Sequence, residues 1–260
     1  MRIIVIPDVQ IKPGADLSYI RWISHYIVDK KPEALVIIGD WADMPSLSSY
    51  DVGKKSFEGR TYRDDILAAN DALQMLMAPI QEEQERCIKG HRVRWEMRKV
   101  VTLGNHEHRI DTAVETDRKL EGLISTDDIF FKQWGFEVYP FLEVVLVGGI
   151  AFSHYFCSGV MGRPITTARS LLNKMHMSCV AGHQQGYDIA TANRADGARL
   201  TAIIAGSSYP HSESYFNAQT NNHWRGILML NEVSDGTFDA MQVSLKFLEE
   251  RYNKHNRMAA

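Results

Sequence analysis

A chain of 260 residues, 45% hydrophobic and 23% charged, has an ordinary globular composition and can bury a sizeable core. Its formal net charge of −3 excludes a globally basic nucleic-acid or membrane binder, so any such partner must be met by a local patch. Cys87, Cys157 and Cys179 lie far apart in no CxxC pattern, which points to structural thiols in a reducing compartment. No apolar run is long enough to span a bilayer, and "MRIIVIPDVQ" breaks into charge too early for a signal peptide, so a cytoplasmic protein is expected.

In chain order, "RIIVIP" (2–7) reads as a buried strand, and "LSYIRWISHYIVDK" (17–30) has helical periodicity with Ile20, Ile23 and Ile27 on one face. "EALVIIGD" (33–40) is a second strand, a long helix covers roughly 63–86, and "RKVVTLGNH" (98–106) is a third strand. This βαβαβ order implies a mainly parallel sheet covered by helices. "LEVVLVGGIAFSHY" (142–155) reads as two strands around Gly148-Gly149. "MSCVAGH" (177–183), "LTAIIAGS" (200–207), "RGILMLNEV" (225–233) and "MQVSLKFL" (241–248) come next as short strands of a second, more mixed sheet. No repeat, low-complexity tract or linker interrupts the chain. The expectation is an α/β fold with two packed sheets, as a single domain over 1–260 with a helical, basic insertion at about 51–98.

The residues just past the strand ends carry the chemistry. The first strand ends at Asp8 and Gln10, the second in "GDWAD" with Asp40 and Asp43, and the third in "GNHE" with Asn105, His106 and Glu107. "IAFSH" ends at His154, and "SCVAGHQQ" supplies His183 and Gln185. The carboxyl edge of an open α/β sheet is where ligands collect, so these potential metal ligands are expected in one crevice. Taken singly, each has a plainer explanation. Asp8 can be a helix cap, Asp43 a turn residue and Asn105 a left-handed turn position after Gly104. His154 and His183 can be satisfied core histidines. Their recurrence at five successive strand ends is the feature that favours a metal site.

The series D-x-Q, GDxxD, GNHE, a lone His after a strand and GHxQ resembles the calcineurin-like metallophosphoesterase superfamily, whose usual form is D-x-H, GDxxD, GNH[DE], H and GHxH. "PDVQIKPG" and "NHEHRI" further resemble bacteriophage members, which would place the protein in a host cytoplasm. The resemblance implies a two-sheet β-sandwich flanked by helices, αββα, and two divalent cations bridged by Asp40. One cation position would take Asp40, Asn105, His154 and His183; the other would take Asp8 and Asp40, with Gln10 and Gln185 where the family has histidine. Both departures fall on one position, so it reads as retuned, and an amide oxygen there favours Mn²⁺ or Mg²⁺. Zn²⁺ or Fe suits the histidine-containing position. His106 resembles the family histidine that stabilises the transition state or protonates the leaving group, with Asp43 orienting it. Glu107 is expected to be a structural hydrogen-bond partner.

The function implied is metal-dependent hydrolysis of phosphodiester bonds by metal-activated hydroxide, with DNA, RNA or a nucleotide as substrate. The alternatives are a phosphomonoesterase on a phosphoprotein or small metabolite, and an inactive metal-binding module. The nucleic-acid direction rests on "RCIKGHRVRWEMRK" (86–99), where Arg86, Lys89, Arg92, Arg94, Arg98 and Lys99 surround Trp95. The competing reading is a solvated helix end paired to "QEEQE" (81–85). Arg63, Arg109 and Arg163 are candidate phosphate clamps, with Arg109 and Arg163 taken as the substrate-binding pair. His91, His176, His211 and His255 read as ordinary, and no heptad pattern indicates an oligomeric state.

Overall fold

The computed structural model of the chain describes residues 1–212 and 219–253, which leaves His255 outside the described residues. Its strands are β1 (Ile3–Ile6), β2 (Ala34–Ile37), β3 (Arg98–Thr102), β4 (Glu137–Tyr139), β5 (Val145–Val147), β6 (Ile150–Ser153), β7 (Cys157–Ser158), β8 (Arg163–Pro164), β9 (Cys179–Ala181), β10 (Tyr187–Asn193), β11 (Arg199–Ala205), β12 (Gly226–Ser234) and β13 (Thr237–Ser244). The helices are α1 (Ser18–Lys30), α2 (Tyr62–Lys89), α3 (His108–Thr116), α4 (Ala168–Met175) and α5 (Leu245–Tyr252).

Two sheets hold most of the strands. The six-stranded sheet has the order β13-β12-β1-β2-β3-β4, with β1 to β4 parallel; the five-stranded sheet has the order β10-β11-β9-β6-β5. The alternation of side chains along each strand divides the core into layers. Ile3 and Val5 of β1 and Val36 of β2 point between the sheets, where they meet Phe152, Val180, Ile203 and Leu228. Ile4, Ile6, Leu35 and Ile37 point the other way, onto Ile20, Ile23 and Ile27 of α1 and Leu73, Leu76 and Met77 of α2. On the far side, Ala151, Cys179, Ala181 and Ile204 pack under Leu171 and Leu172 of α4. The result is helix, sheet, sheet, helix, as expected. A strand apolar on both faces, such as "IIVI", is the mark of a sheet covered on both sides. Gly148 and Gly149, at φ 60° and 79°, form the tight turn of the β5–β6 hairpin.

Two expectations need correction. "MQVSLKFL" is a strand only as far as Ser244, whose hydroxyl caps α5 by accepting from the Phe247 amide at 3.2 Å. Leu245, Leu248 and Tyr252 then bury a helical face, a 3.6-residue period concealed behind an apolar run. The last two strands also join the first sheet, because β12 pairs antiparallel with β1, Ile3 opposite Leu230. Such pairing between chain ends leaves no local sequence mark. Among the described residues no helix is long and apolar enough to cross a membrane.

Candidate metal centre

The parallel strands of both sheets deliver their carboxyl ends to one rim. Asp8, Asp40 and Asn105 follow β1, β2 and β3, while His154 and His183 follow β6 and β9. Backbone hydrogen bonds stitch these ends together. The Val9 and Gln10 amides donate to the Asp40 carbonyl at 2.9 and 2.8 Å, and the Gly182 amide donates to the His154 carbonyl at 2.9 Å. The His183 amide, from the second sheet, donates to Asp8 Oδ1 at 3.0 Å, and the His106 amide to Asp40 Oδ1 at 3.0 Å. Glu107 is the structural partner expected: its buried carboxylate accepts from the Asp40, Ala42 and Gly104 amides at 3.0, 2.8 and 2.7 Å.

So close an approach explains the glycines in the motifs. A Cβ on Gly104 would overlap Asp40, and one on Gly182 would lie 2.5 Å from Asp8 Oδ1. Gln10, Asp40, His183 and Gln185 take left-handed φ of 48°, 49°, 67° and 59°. Non-glycine residues held there carry strain of order 1–3 kcal/mol each, which the surrounding fold has to offset, and such strain concentrates at functional sites.

Donor atoms of Asp40, His154 and His183 all lie within 4.8 Å of one another. The His154 ring is set by its environment. Its Nδ1 lies 2.9 Å from the Ile38 carbonyl, which can only accept, so Nδ1 carries a proton and Nε2 is turned toward Asp40 and Asn105. That Nε2 lies 3.4 Å from Asp40 Oδ2 and 2.9 Å from Asn105 Oδ1, while the same Asn105 oxygen lies 2.8 Å from His183 Nδ1. An imidazole anchored through its outer nitrogen is the usual arrangement of a metal-ligating histidine. The side chains of Asp40, Asn105, His154 and His183 therefore meet at one point, where Asp40, His154 and His183 could hold a metal ion.

The residues expected in the second set have different surroundings. Asp8 and Gln10 are fully buried, and Asp8 Oδ2 has no hydrogen-bond partner among the described residues, an orphaned oxygen that a cation would satisfy. Gln185, however, already offers its amide oxygen to the Tyr209 hydroxyl at 2.5 Å. Tyr209 escaped the sequence reading. It nevertheless follows the same pattern of a strand, then Gly206, then polar residues, and the Ser208 amide donates to the Asp8 carbonyl at 2.9 Å.

Charge is distributed unevenly over this rim. Burial pushes the Asp8 carboxyl well above its usual range, and adjacent Asp40 adds to the effect. Burial acts on Asp40 in the same sense, but His106 and His154 outweigh it and hold Asp40 below the carboxylate range. Burial and His154 push His183 down to about 4, so at neutral pH it is already deprotonated and ready to ligate. His106 behaves oppositely. Burial would lower it, yet Asp40 and the Asp43 carboxylate, 2.7 Å from Nδ1, lift it to about 9. A folded-state value raised above an unfolded value near ~6.5 contributes stability that is fully present below that pH. This stability is lost as pH rises through about 9. Metal-free protein is therefore expected to lose more thermal stability than its His106→Asn variant between about pH 7 and about pH 10. Parallel melting curves of the two across that range would contradict the assignment.

His106, Asp43 and Arg109 line a cavity of about 880 Å³ that opens beside the ligands and is also walled by Asp51, Arg60 and Asp65. Arg109, a candidate phosphate clamp in the sequence, is one of the residues lining this cavity. Its guanidinium donates to the Asp43 carbonyl at 2.6 Å and reaches within 3.3 Å of His106 Nε2. Lys12, unanticipated, also lines the cavity, with Nζ 3.5 Å from Asp43 Oδ2. Arg163 stands exposed on the β7–β8 ribbon and is not among the cavity's lining residues.

The basic stretch does not approach this rim. Arg98 opens β3, at the end opposite Asn105, and its amide bonds the Glu33 carbonyl ahead of β2. Trp95 is buried, its indole donating to the Pro32 carbonyl at 2.8 Å, and so presents no stacking face. Arg86 pairs with Glu83, Lys89 with Glu85 at 3.5 Å and Arg98 with Glu137 at 2.7 Å. Of the two readings of this stretch, the helix end paired to 81–85 agrees with the Glu83 and Glu85 partners of Arg86 and Lys89, and the α2–β3 connection enters at the amino end of β3.

No family model matches the chain, and no curated protein does. Among solved structures, one crystal structure aligns over 94% of this chain and 99% of its own at 10% identity and a TM-score of 0.36. A crystal structure of TT1561 of Thermus thermophilus aligns over 93% of this chain and 98% of its own at 9% identity and a TM-score of 0.31. Likeness at that level decides nothing about this site, whose chemistry rests on its own geometry.

Proposed function

We propose that the protein is a metal-dependent phosphoesterase of the calcineurin-like kind, hydrolysing phosphodiester bonds with Mn²⁺ or Mg²⁺. The observation that carries this reading is the gathering of Asp40, His154 and His183 donors within 4.8 Å, with the His106–Asp43 pair beside them. Asp40, Asn105, His154 and His183 would hold one divalent ion, and Asp8, Asp40, Gln10 and Gln185 would hold another. Ions bound there would neutralise a phosphate ester's negative charge and lower the pKa of water to about 7 in favourable sites.

The protein's own groups do the rest. In the metal-free protein His106 is protonated on both ring nitrogens at neutral pH, Asp43 holding the Nδ1 proton and leaving the one on Nε2 to be given up. As the oxygen of a deprotonated water forms the new bond to phosphorus, the ester P–O bond breaks, its electron pair passes to the leaving oxygen, and His106 would supply that oxygen with the Nε2 proton. Arg109, whose guanidinium lies 3.3 Å from His106 Nε2, would grip a non-bridging phosphate oxygen. The cavity, about 880 Å³, has room for both arms of a diester. With the basic stretch at the opposite end of β3, nothing among the described residues of the rim singles out a polynucleotide.

The test is a substrate panel. Protein stripped of metal and resupplied with Mn²⁺, Mg²⁺ or Zn²⁺ is offered a model diester, a model monoester, and single- and double-stranded DNA. Diester turnover with Mn²⁺ that is absent in His106→Ala is the expected result. Preference for the monoester would replace the diesterase assignment, and metal binding without turnover of anything would leave only a metal-binding module.

A further inference from the structure

The two cation positions are not equally ready. At the first, the His154 ring is fixed by the Ile38 carbonyl, and four side chains from the ends of strands in both sheets already meet. At the second, Asp8 Oδ1 is engaged by the His183 amide, which leaves Oδ2 as that carboxylate's open donor. The Gln185 amide oxygen receives the Tyr209 hydroxyl at 2.5 Å. Amide oxygens are weak ligands beside imidazole or carboxylate, and a hydrogen bond to one draws further electron density from it. Nor can Tyr209 easily swing aside. It is fully buried, with its ring stacked on His211 at 4.6 Å between centroids, its edge toward His223 at 6.0 Å and the Arg225 guanidinium 5.1 Å over its face.

We propose that Tyr209 is a positioning residue that, through its hydrogen bond to Gln185, keeps the second cation position weak, so that the resting protein holds one divalent ion and takes the second only together with a phosphate group. The inference rests on the metal-centre reading above. It adds that the two glutamines and Tyr209 form one device in which an anionic oxygen from the bound phosphate completes a ligand set the protein leaves short. A cation whose ligands are partly supplied by substrate phosphate is the ordinary way hard divalent ions are held with few protein ligands.

Calorimetric titration of metal-free protein with Mn²⁺ alone, and with Mn²⁺ plus inorganic phosphate, reads this directly. Wild type is expected to show one strong and one weak step, with phosphate tightening the weak step. Tyr209→Phe is expected to tighten the weak step about tenfold, the scale on which hydrogen bonds to ligating groups act, and to leave the strong step in place. Gln185→Glu offers a second oxygen beyond the phenol's reach, so it too tightens the weak step, and adding Tyr209→Phe to it brings little more. Two equal steps in wild type overturn the proposal, as does a weak step that phosphate does not move. A weak step left unchanged or weakened by Tyr209→Phe also overturns it. Should that variant not fold, failure of Gln185→Glu to tighten the weak step overturns it instead. Absence of the strong step itself would remove the metal-centre reading and this inference together; a strong step with an unmoved weak step removes only the inference.

Discussion

His154→Ala is expected to abolish tight metal binding and all metal-dependent hydrolysis. The side chain is fully buried, and its Nε2 lies 3.4 Å from Asp40 Oδ2 and 2.9 Å from Asn105 Oδ1, at the centre of the first cation position. Changes to groups that merely support a ligand cost roughly 10–100-fold in metal affinity, so loss of a ligand itself is expected to cost more than about 100-fold. The substitution also leaves the Ile38 carbonyl without the ring's Nδ1–H, a desolvated acceptor worth about 1–3 kcal/mol of stability. Both effects are measurable on the same preparation, by metal titration and by thermal unfolding without metal. Equal metal uptake by wild type and variant would show that no cation sits between these groups.

His106→Ala separates catalysis from binding. His106 is bonded to Asp43 at 2.7 Å and lies 3.8 Å, through Nε2, from Asp40 Oδ2, so it faces the ligands without belonging to the triad whose donors converge. Loss of a positioned proton donor lowers turnover by roughly 10²–10⁴-fold. The expected result is a fall in kcat of that size with the metal content unchanged. Asp43→Asn is expected to act on the same step by a smaller factor. The double variant is expected to be no worse than His106→Ala, because Asp43 works through the ring it orients. Full activity in His106→Ala would shift the proton donor to another group. Loss of metal along with activity would recast His106 as a ligand.

Much of this was legible in the chain itself, because the relevant signals are local. An apolar "IIVI" announces a strand buried on both faces, Ile20, Ile23 and Ile27 announce a helix face, and glycine followed by a polar residue announces a strand end carrying a ligand. Asp40, His154 and His183, whose donor atoms the fold gathers, could therefore be named from the sequence one by one. Packing decided what periodicity cannot express. Pairing of β12 with β1 moved two strands into the first sheet, since a ladder between the two ends of the chain has no sequence period. The Ser244 cap turned an apolar run from strand to helix. Burial of Trp95 and the position of Arg98 at the start of β3 took the basic stretch away from the rim, and Tyr209 reached Gln185 from a separate strand end. Period and propensity act over a few neighbouring residues, whereas which side chains share a cavity depends on how crossovers fold the sheets together, a property of the whole chain's packing.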